Sequence, residues 1–108
     1  MKMYGIKNCD TVKKAQKYLQ LNNIEFEFID FREQPLDEKT LQSFADSVGW
    51  DKLINKRSTT YRNLTDVQKA DITLELALKN PTLIKRPVLV TGADVRVGFS
   101  EKSYSDLT

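Results

Sequence analysis

Met3-Tyr4-Gly5-Ile6-Lys7-Asn8-Cys9-Asp10-Thr11-Val12-Lys13-Lys14-Ala15 changes its hydrophobic period in the middle, and that change decides the fold. Met1 to Lys7 reads as a short strand whose apolar content is Met3, Tyr4 and Ile6. From Thr11 to Leu21, Val12, Ala15, Tyr18 and Leu19 recur on one helical face, with Lys13, Lys14 and Lys17 outside it. Asn22-Asn23 supplies the stop. Glu25 to Phe31 then alternates as a second strand. Strand, helix and strand at such short spacing predict a right-handed βαβ unit with parallel strands.

Downstream, Asp37 is placed to cap a helix in which Leu41, Phe44, Ala45 and Val48 recur at i, i+3, i+4 and i+7, and Gly49 ends it. Trp50, Leu53 and Ile54 suggest one further helical turn. The polar stretch Arg57 to Asn63 reads as a loop. Thr65 and Gln68 have capping-box spacing for a third helix, expected to turn Val67, Ala70, Leu74, Ala77 and Leu78 inward until Asn80-Pro81 closes it. Val88-Leu89-Val90 reads as a buried strand, Gly92-Ala93-Asp94 as a turn, and Val95, Val97 and Phe99 as the return strand. Ser100 or Ser103 is positioned to cap a short last helix. A βαβ half followed by a ββα half is the thioredoxin arrangement. The expected fold is therefore α/β and thioredoxin-like: a four-stranded mixed sheet, with a helical region from about residue 37 to residue 80 inserted between the halves.

The chain has 108 residues, which fits one domain spanning residues 1–108. Hydrophobic residues make up 40% and charged residues 30%, enough for a core under a solvated surface. Seventeen Lys and Arg against fifteen Asp and Glu leave a net charge of +2, too small to argue for nucleic acid. No apolar run approaches the ~20 residues needed to cross a bilayer, so no membrane partner is expected. Met1-Lys2-Met3-Tyr4 enters a strand directly and has no signal-peptide core, so the expected location is the cytoplasm.

One cysteine and no histidine restrict the chemistry sharply. An internal disulfide cannot form, Ser–His and Cys–His pairs are excluded, and neither a metal site nor a bound cofactor is expected. Cys9 stands between a strand and a helix, where the free N–H groups of the first turn and the helix dipole favour a thiolate. The neighbouring Asp10 carboxylate acts in the opposite direction. Arg86-Pro87 precedes a buried strand, where proline is tolerated at the first residue. The loop Asn55-Lys56-Arg57-Ser58-Thr59-Thr60-Tyr61-Arg62 carries three cations suited to an anion or a carboxylate.

Gly5-Ile6-Lys7-Asn8-Cys9-Asp10-Thr11-Val12-Lys13-Lys14-Ala15, Ile29-Asp30-Phe31, Asn55-Lys56-Arg57-Ser58, Leu83-Ile84-Lys85-Arg86-Pro87-Val88 and Val97-Gly98-Phe99 together resemble the arsenate-reductase-related ArsC/Spx family, and within it the short YffB-type branch. The resemblance runs in order along essentially the whole chain. It implies a thioredoxin-like fold, a cis bond at Arg86-Pro87, a nucleophile at Cys9, and Arg57 and Arg86 near that nucleophile. Asn8, Arg62 and Pro87 are further candidates for substrate binding.

Two departures bear on the activity. Arsenate reductases of the family carry another arginine after the hairpin, where this chain has Phe99, and their basic loop residue falls nearer Asn55 than Arg57. Spx-type regulators, which bind RNA polymerase, commonly carry Cys-x-x-Cys, whose second position here is Val12. The resemblance to the YffB-type branch implies a glutathione-dependent monothiol reductase, with glutathione as co-substrate and glutathione, another small thiol or a glutaredoxin as partner. The alternatives are an Spx-like regulator of RNA polymerase and a weak glutaredoxin-dependent arsenate reductase.

Overall fold

The computed structural model describes residues 1–92 and 94–107, which divide into two compact units, Met1–Gln34 with Arg86 onward, and Pro35–Lys85. The first unit contains a four-stranded mixed sheet of β1 (Lys2–Gly5), β2 (Glu27–Asp30), β3 (Val88–Thr91) and β4 (Asp94–Val97), in the order β2-β1-β3-β4. Strand β1 (Lys2–Gly5) pairs in parallel with β2 (Glu27–Asp30) through helix α1 (Asp10–Leu21), as the βαβ reading requires. Both strands are shorter than their sequence patterns, because Ile6 turns the chain into α1 and Phe31 leaves the sheet after donating to the Gly5 carbonyl at 3.0 Å.

Helix α1 forms because Val12, Ala15 and Leu19 share one face, which buries completely with Met3, Leu89 and Tyr104. Each large apolar side chain so buried contributes roughly 1.5–3 kcal/mol. The helix stops at Asn22, and Asn23 takes a left-handed φ of 56°. A Cβ on Gly5 would meet Val12 Cγ2 at 2.9 Å, so glycine lets α1 approach β1 closely.

Strand β3 (Val88–Thr91) runs antiparallel to β1, with Tyr4 opposite Val88, and to β4 (Asp94–Val97). Of the expected turn Gly92-Ala93-Asp94, Ala93 lies outside the described residues, Gly92 has a φ of 69°, and Asp94 already pairs with Thr91. Phe99 does not extend the return strand. Gly98, with a φ of 77°, takes the chain out of the sheet, and Phe99 stacks edge-on against Tyr104 at 4.8 Å and on Tyr18 at 5.7 Å. Ser100, not Ser103, is the N-cap of α7 (Glu101–Tyr104), and Ser103 completes the reciprocal capping box. Arg96 fastens this end to β4 through Asp106, at 2.6 Å from Nη2 to Oδ2, and through the Ser103 carbonyl.

The second unit is helical. Asp37 caps α2 (Glu38–Val48), accepting from the Thr40 N–H at 2.7 Å, and Gly49 ends it with a φ of 82°. The turn α3 (Trp50–Leu53) follows. Leu41, Phe44, Ala45, Leu53, Ile54, Ala77, Leu83 and Ile84 are the buried apolar residues of the unit. Two expectations need correction here. The stretch 57–63 is not all loop: Ser58 caps α4 (Thr59–Arg62) by accepting from the Tyr61 N–H at 3.1 Å. The single helix expected from Thr65 onward is two, α5 (Asp66–Ala70) and α6 (Leu74–Lys79). The capping box of Thr65 and Gln68 starts α5, but Asp71 leaves the helical region and the Thr73 hydroxyl caps α6 afresh. Local side-chain bonding of this kind competes with helix continuation. As a result Val67 and Ala70 face solvent, and of the expected inward set Ala77 is fully buried. Among the described residues, no helix is long and apolar enough to cross a membrane.

Candidate active site around Cys9

The turn between β1 and α1 presents the sulfur. The Cys9 N–H closes it by donating to the Ile6 carbonyl at 3.2 Å, and Cys9 itself is the N-cap of α1, with extended backbone at φ −97° and ψ 122°. Ser, Thr, Asp or Asn would serve this position better for stability, because their oxygens accept from the first-turn N–H groups. The Cys9 side chain makes no such capping bond. A cysteine at an N-cap therefore sacrifices helix stability, and what it gains is a sulfur facing a positive pole.

Topology brings a cation to the same place. Because β3 is antiparallel to β1 and Val88 lies opposite Tyr4, the residues just before β3 lie at the end of the sheet where β1 runs into Cys9. Arg86 is there, half-buried, joined by a cis bond to the buried Pro87. The Pro87 carbonyl accepts from the Gly98 N–H at 2.8 Å, which ties this corner to the end of β4. Burial pushes the half-buried Cys9 thiol up, but the N–H of Val12, the hydrogen bond and charge of Arg86, and the N–H of Thr11 together outweigh it. The net shift is downward, toward thiolate at neutral pH. The exposed Asp10 carboxylate does not reverse it.

The remaining candidates are distributed between the units. Asn8 is exposed in the turn before Cys9. Arg57 and Arg62 belong to the helical unit, and both are exposed. The Arg57 N–H donates to Asn55 Oδ1 at 3.1 Å, and Arg62 is the last residue of α4. The structure thus brings Arg86 to Cys9 within one unit, flanked by Asn8 and Pro87. No group of three or more Cys, Asp or Glu positioned for a metal ion occurs among the described residues.

One residue of this corner had no role assigned from sequence. Asp30, at the end of β2, is 6% exposed, and its carboxylate accepts from the Lys7 N–H at 3.0 Å and the Arg32 N–H at 2.8 Å. Its signal was a lone carboxylate between Ile29 and Phe31, at the end of the strand parallel to the one that leads to the nucleophile.

The sequence model of the ArsC family matches residues 4–107. The chain belongs to the ArsC family. An uncharacterized protein of Haemophilus influenzae is 48% identical over 106 residues, covering 94% of this chain and 93% of its own. The solved structure of a protein named YFFB superposes with a TM-score of 0.90 at 38% identity, over 97% of this chain and 96% of the other. An arsenate reductase (ArsC) related protein from Brucella melitensis gives a TM-score of 0.79, also at 38% identity, over 97% and 91% of the two chains. A global transcriptional regulator Spx of Streptococcus pyogenes is 27% identical, over 87% of this chain and 74% of the regulator. This ArsC-family chain is thus similar both to an arsenate reductase (ArsC) related protein and to a regulator of transcription.

Proposed function

We propose that this ArsC-family protein is a glutathione-dependent monothiol reductase whose nucleophile is Cys9. The observation that carries the reading is the placement of Cys9 as N-cap of α1 at the end of the sheet that also carries Arg86, where its thiol is drawn toward thiolate. In the proposed cycle the Cys9 thiolate attacks the glutathione sulfur of a mixed disulfide R–S–S–G. A new S–S bond joins Cys9 to the glutathionyl sulfur, the S–S bond of R–S–S–G breaks, and RS⁻ leaves and takes a proton from water. A second glutathione, as its thiolate, attacks the glutathione sulfur of the adduct, expels Cys9 as thiolate, and departs as the disulfide GSSG. Across the cycle, R–S–S–G and one glutathione become RSH and GSSG: the R sulfur passes from disulfide to thiol and the incoming glutathione sulfur from thiol to disulfide.

Arg86 favours Cys9 as thiolate in both steps, as attacking group and as leaving group. The backbone at Arg86-Pro87 holds the peptide part of glutathione as an added strand is held at an exposed edge. We assign Arg57, which the family resemblance implies near the nucleophile, to orienting the anionic adduct, and Asn8 and Arg62 to substrate binding. With one cysteine in the chain, the resolving thiol is external. A glutathionylated peptide incubated with glutathione tests the cycle: wild-type protein releases peptide thiol catalytically and Cys9→Ser does not. Equal rates for the two would refute it.

The Spx relatives favour a second reading, a regulator that docks on RNA polymerase. Such a protein retains polymerase when immobilised in a lysate and does so equally well as Cys9→Ser. Arsenate reduction is the third reading, and Phe99 opposes it: it stands about where the family resemblance expects a further arginine, and its ring packs on Tyr104 and Tyr18.

A further inference from the structure

The turn that carries Cys9 is clasped from the far side by a buried carboxylate. Lys7 follows Ile6 in the turn that the Cys9 N–H closes, so the Lys7 N–H lies outside the turn's own hydrogen bond and requires an external acceptor. Asp30 Oδ2 supplies it at 3.0 Å. The same carboxylate accepts from the Arg32 N–H, and the Asp30 carbonyl accepts from the N–H groups of Glu33 and Gln34 at 3.1 and 2.8 Å, which fixes the end of β2 around it. Above this, the Lys7 ammonium meets Glu33 at 2.7 Å, exposed and of little worth by itself. A carboxylate 6% exposed is costly unless saturated by donors, and here those donors come from two segments, one of them the nucleophile's turn.

We infer that Asp30 is a positioning residue for Cys9, holding the Ile6–Cys9 turn so that the sulfur meets the first turn of α1 and Arg86 together. The inference rests on the reading of Cys9 as nucleophile. Burial alone would push the Asp30 carboxyl up, yet the N–H groups of Lys7, Arg32 and Glu33 and the Lys7 charge hold it below the usual carboxylate range. It is therefore a fixed anion at neutral pH, able to hold the Lys7 N–H throughout the working range of a thiolate.

Iodoacetamide alkylation of Cys9 against pH tests the inference without needing glutathione. Asp30→Asn is expected to move the midpoint upward and lower the rate at pH 7 several-fold. Because that variant carries a buried substitution, Lys7 offers a second route at an exposed site. Lys7→Pro deletes the N–H while keeping the carboxylate, and proline suits the second position of a turn. Lys7→Ala keeps the N–H and loses only the ammonium. The inference requires Lys7→Pro to be slowed and shifted upward, with Lys7→Ala close to wild type. Asp37→Ala, which uncaps α2 in the other unit, controls for general destabilisation: it should melt at lower temperature with an unchanged alkylation profile. Lys7→Pro and Lys7→Ala reacting alike would overturn the clasp, as would an Asp30→Asn that folds and keeps the wild-type profile. A wild-type midpoint at the ordinary thiol value would instead refute the nucleophile reading itself.

Discussion

The Arg86 guanidinium draws the Cys9 thiol toward thiolate, and these two residues stand 77 positions apart in the chain. They meet because β3 lies against β1 in antiparallel register, with Val88 opposite Tyr4, so that the start of one strand adjoins the end of the other. The charge is fixed and the sulfur is not, so the contact acts on the protonation of the sulfur.

The first prediction concerns that protonation. A thiol whose native value is lowered is more ionised at pH 7 than the few per cent of a free cysteine. The alkylation rate should therefore rise with pH through a midpoint below the ~8.5 of a free thiol. Arg86→Ala removes a lowering influence, so its midpoint must move up. A midpoint unchanged by Arg86→Ala would show that the helix N–H groups act alone.

The second concerns Gly5. Its added methyl would lie 2.9 and 3.2 Å from the two Val12 methyl carbons, and Val12 is fully buried in the first part of α1. Gly5→Ala should cost about 1–3 kcal/mol, the usual range for overpacking. Because α1 must shift to relieve the clash, Cys9 reactivity should change as well. A urea midpoint equal to wild type would mean that Val12 gives way freely.

The third concerns Tyr104. Its side chain is fully buried, and its hydroxyl has no hydrogen-bond partner among the described residues. Burial pushes the phenol up to about 12, with the Arg96 charge pulling weakly the other way. A raised native value stabilises the fold fully below the unfolded value near 10, and that contribution is lost as pH rises toward 12. Tyr104→Phe should remove this alkaline sensitivity. It should also match or exceed wild-type stability at pH 7, since an unsatisfied buried hydroxyl costs roughly 1–3 kcal/mol. Urea unfolding of both proteins at pH 7 and pH 11 measures it, and a clearly destabilised Tyr104→Phe at pH 7 would contradict the packing described.

The fourth concerns arsenate. A tetrahedral oxyanion competes with its own hydration only where several fixed donors converge. Phe99 stands about where the family resemblance expects one of those donors, and its ring packs edge-on against Tyr104. Arsenate-dependent oxidation of glutathione should be weak or undetectable even with glutaredoxin supplied. Robust turnover abolished by Cys9→Ser would place the protein among the arsenate reductases.

The features legible in the sequence were those set by neighbours in the chain. The change of period at Cys9 located the strand-to-helix turn, Asp37 and Gly49 bounded α2, and Thr65 with Gln68 marked a capping box. The break between α5 and α6 was missed because the apolar spacing from Val67 to Leu78 fits a continuous helix. Thr73 instead bonds the Leu76 N–H and starts a new one. Helix α4 was missed for the opposite reason: its four residues bury no apolar face, so hydrophobic period carries no trace of it. At the site, Cys9 is legible from its position and Arg86-Pro87 from the strand it precedes, but the nearness of Arg86 to Cys9 comes only through the family resemblance, because strand pairing over 77 positions leaves no local pattern. Asp30 was illegible as a clasp, since the N–H it holds belongs to Lys7, 23 residues earlier.

The central claim is that Cys9 exchanges with glutathione under the influence of the arginines, and intact-mass kinetics with oxidised glutathione test it most directly. The wild-type protein should gain one glutathionyl group, at Cys9 only, and excess reduced glutathione should remove it. Arg86→Ala should slow the gain, as should Arg57→Ala, whose role rests on the resemblance. Each loss should fall within the ~1.5–3 kcal/mol of a charge-assisted hydrogen bond where the contact is desolvated. If wild type, Arg86→Ala and Arg57→Ala all react at one common rate, set only by the exposure of the sulfur, the arginines form no glutathione site and the reductase account is contradicted.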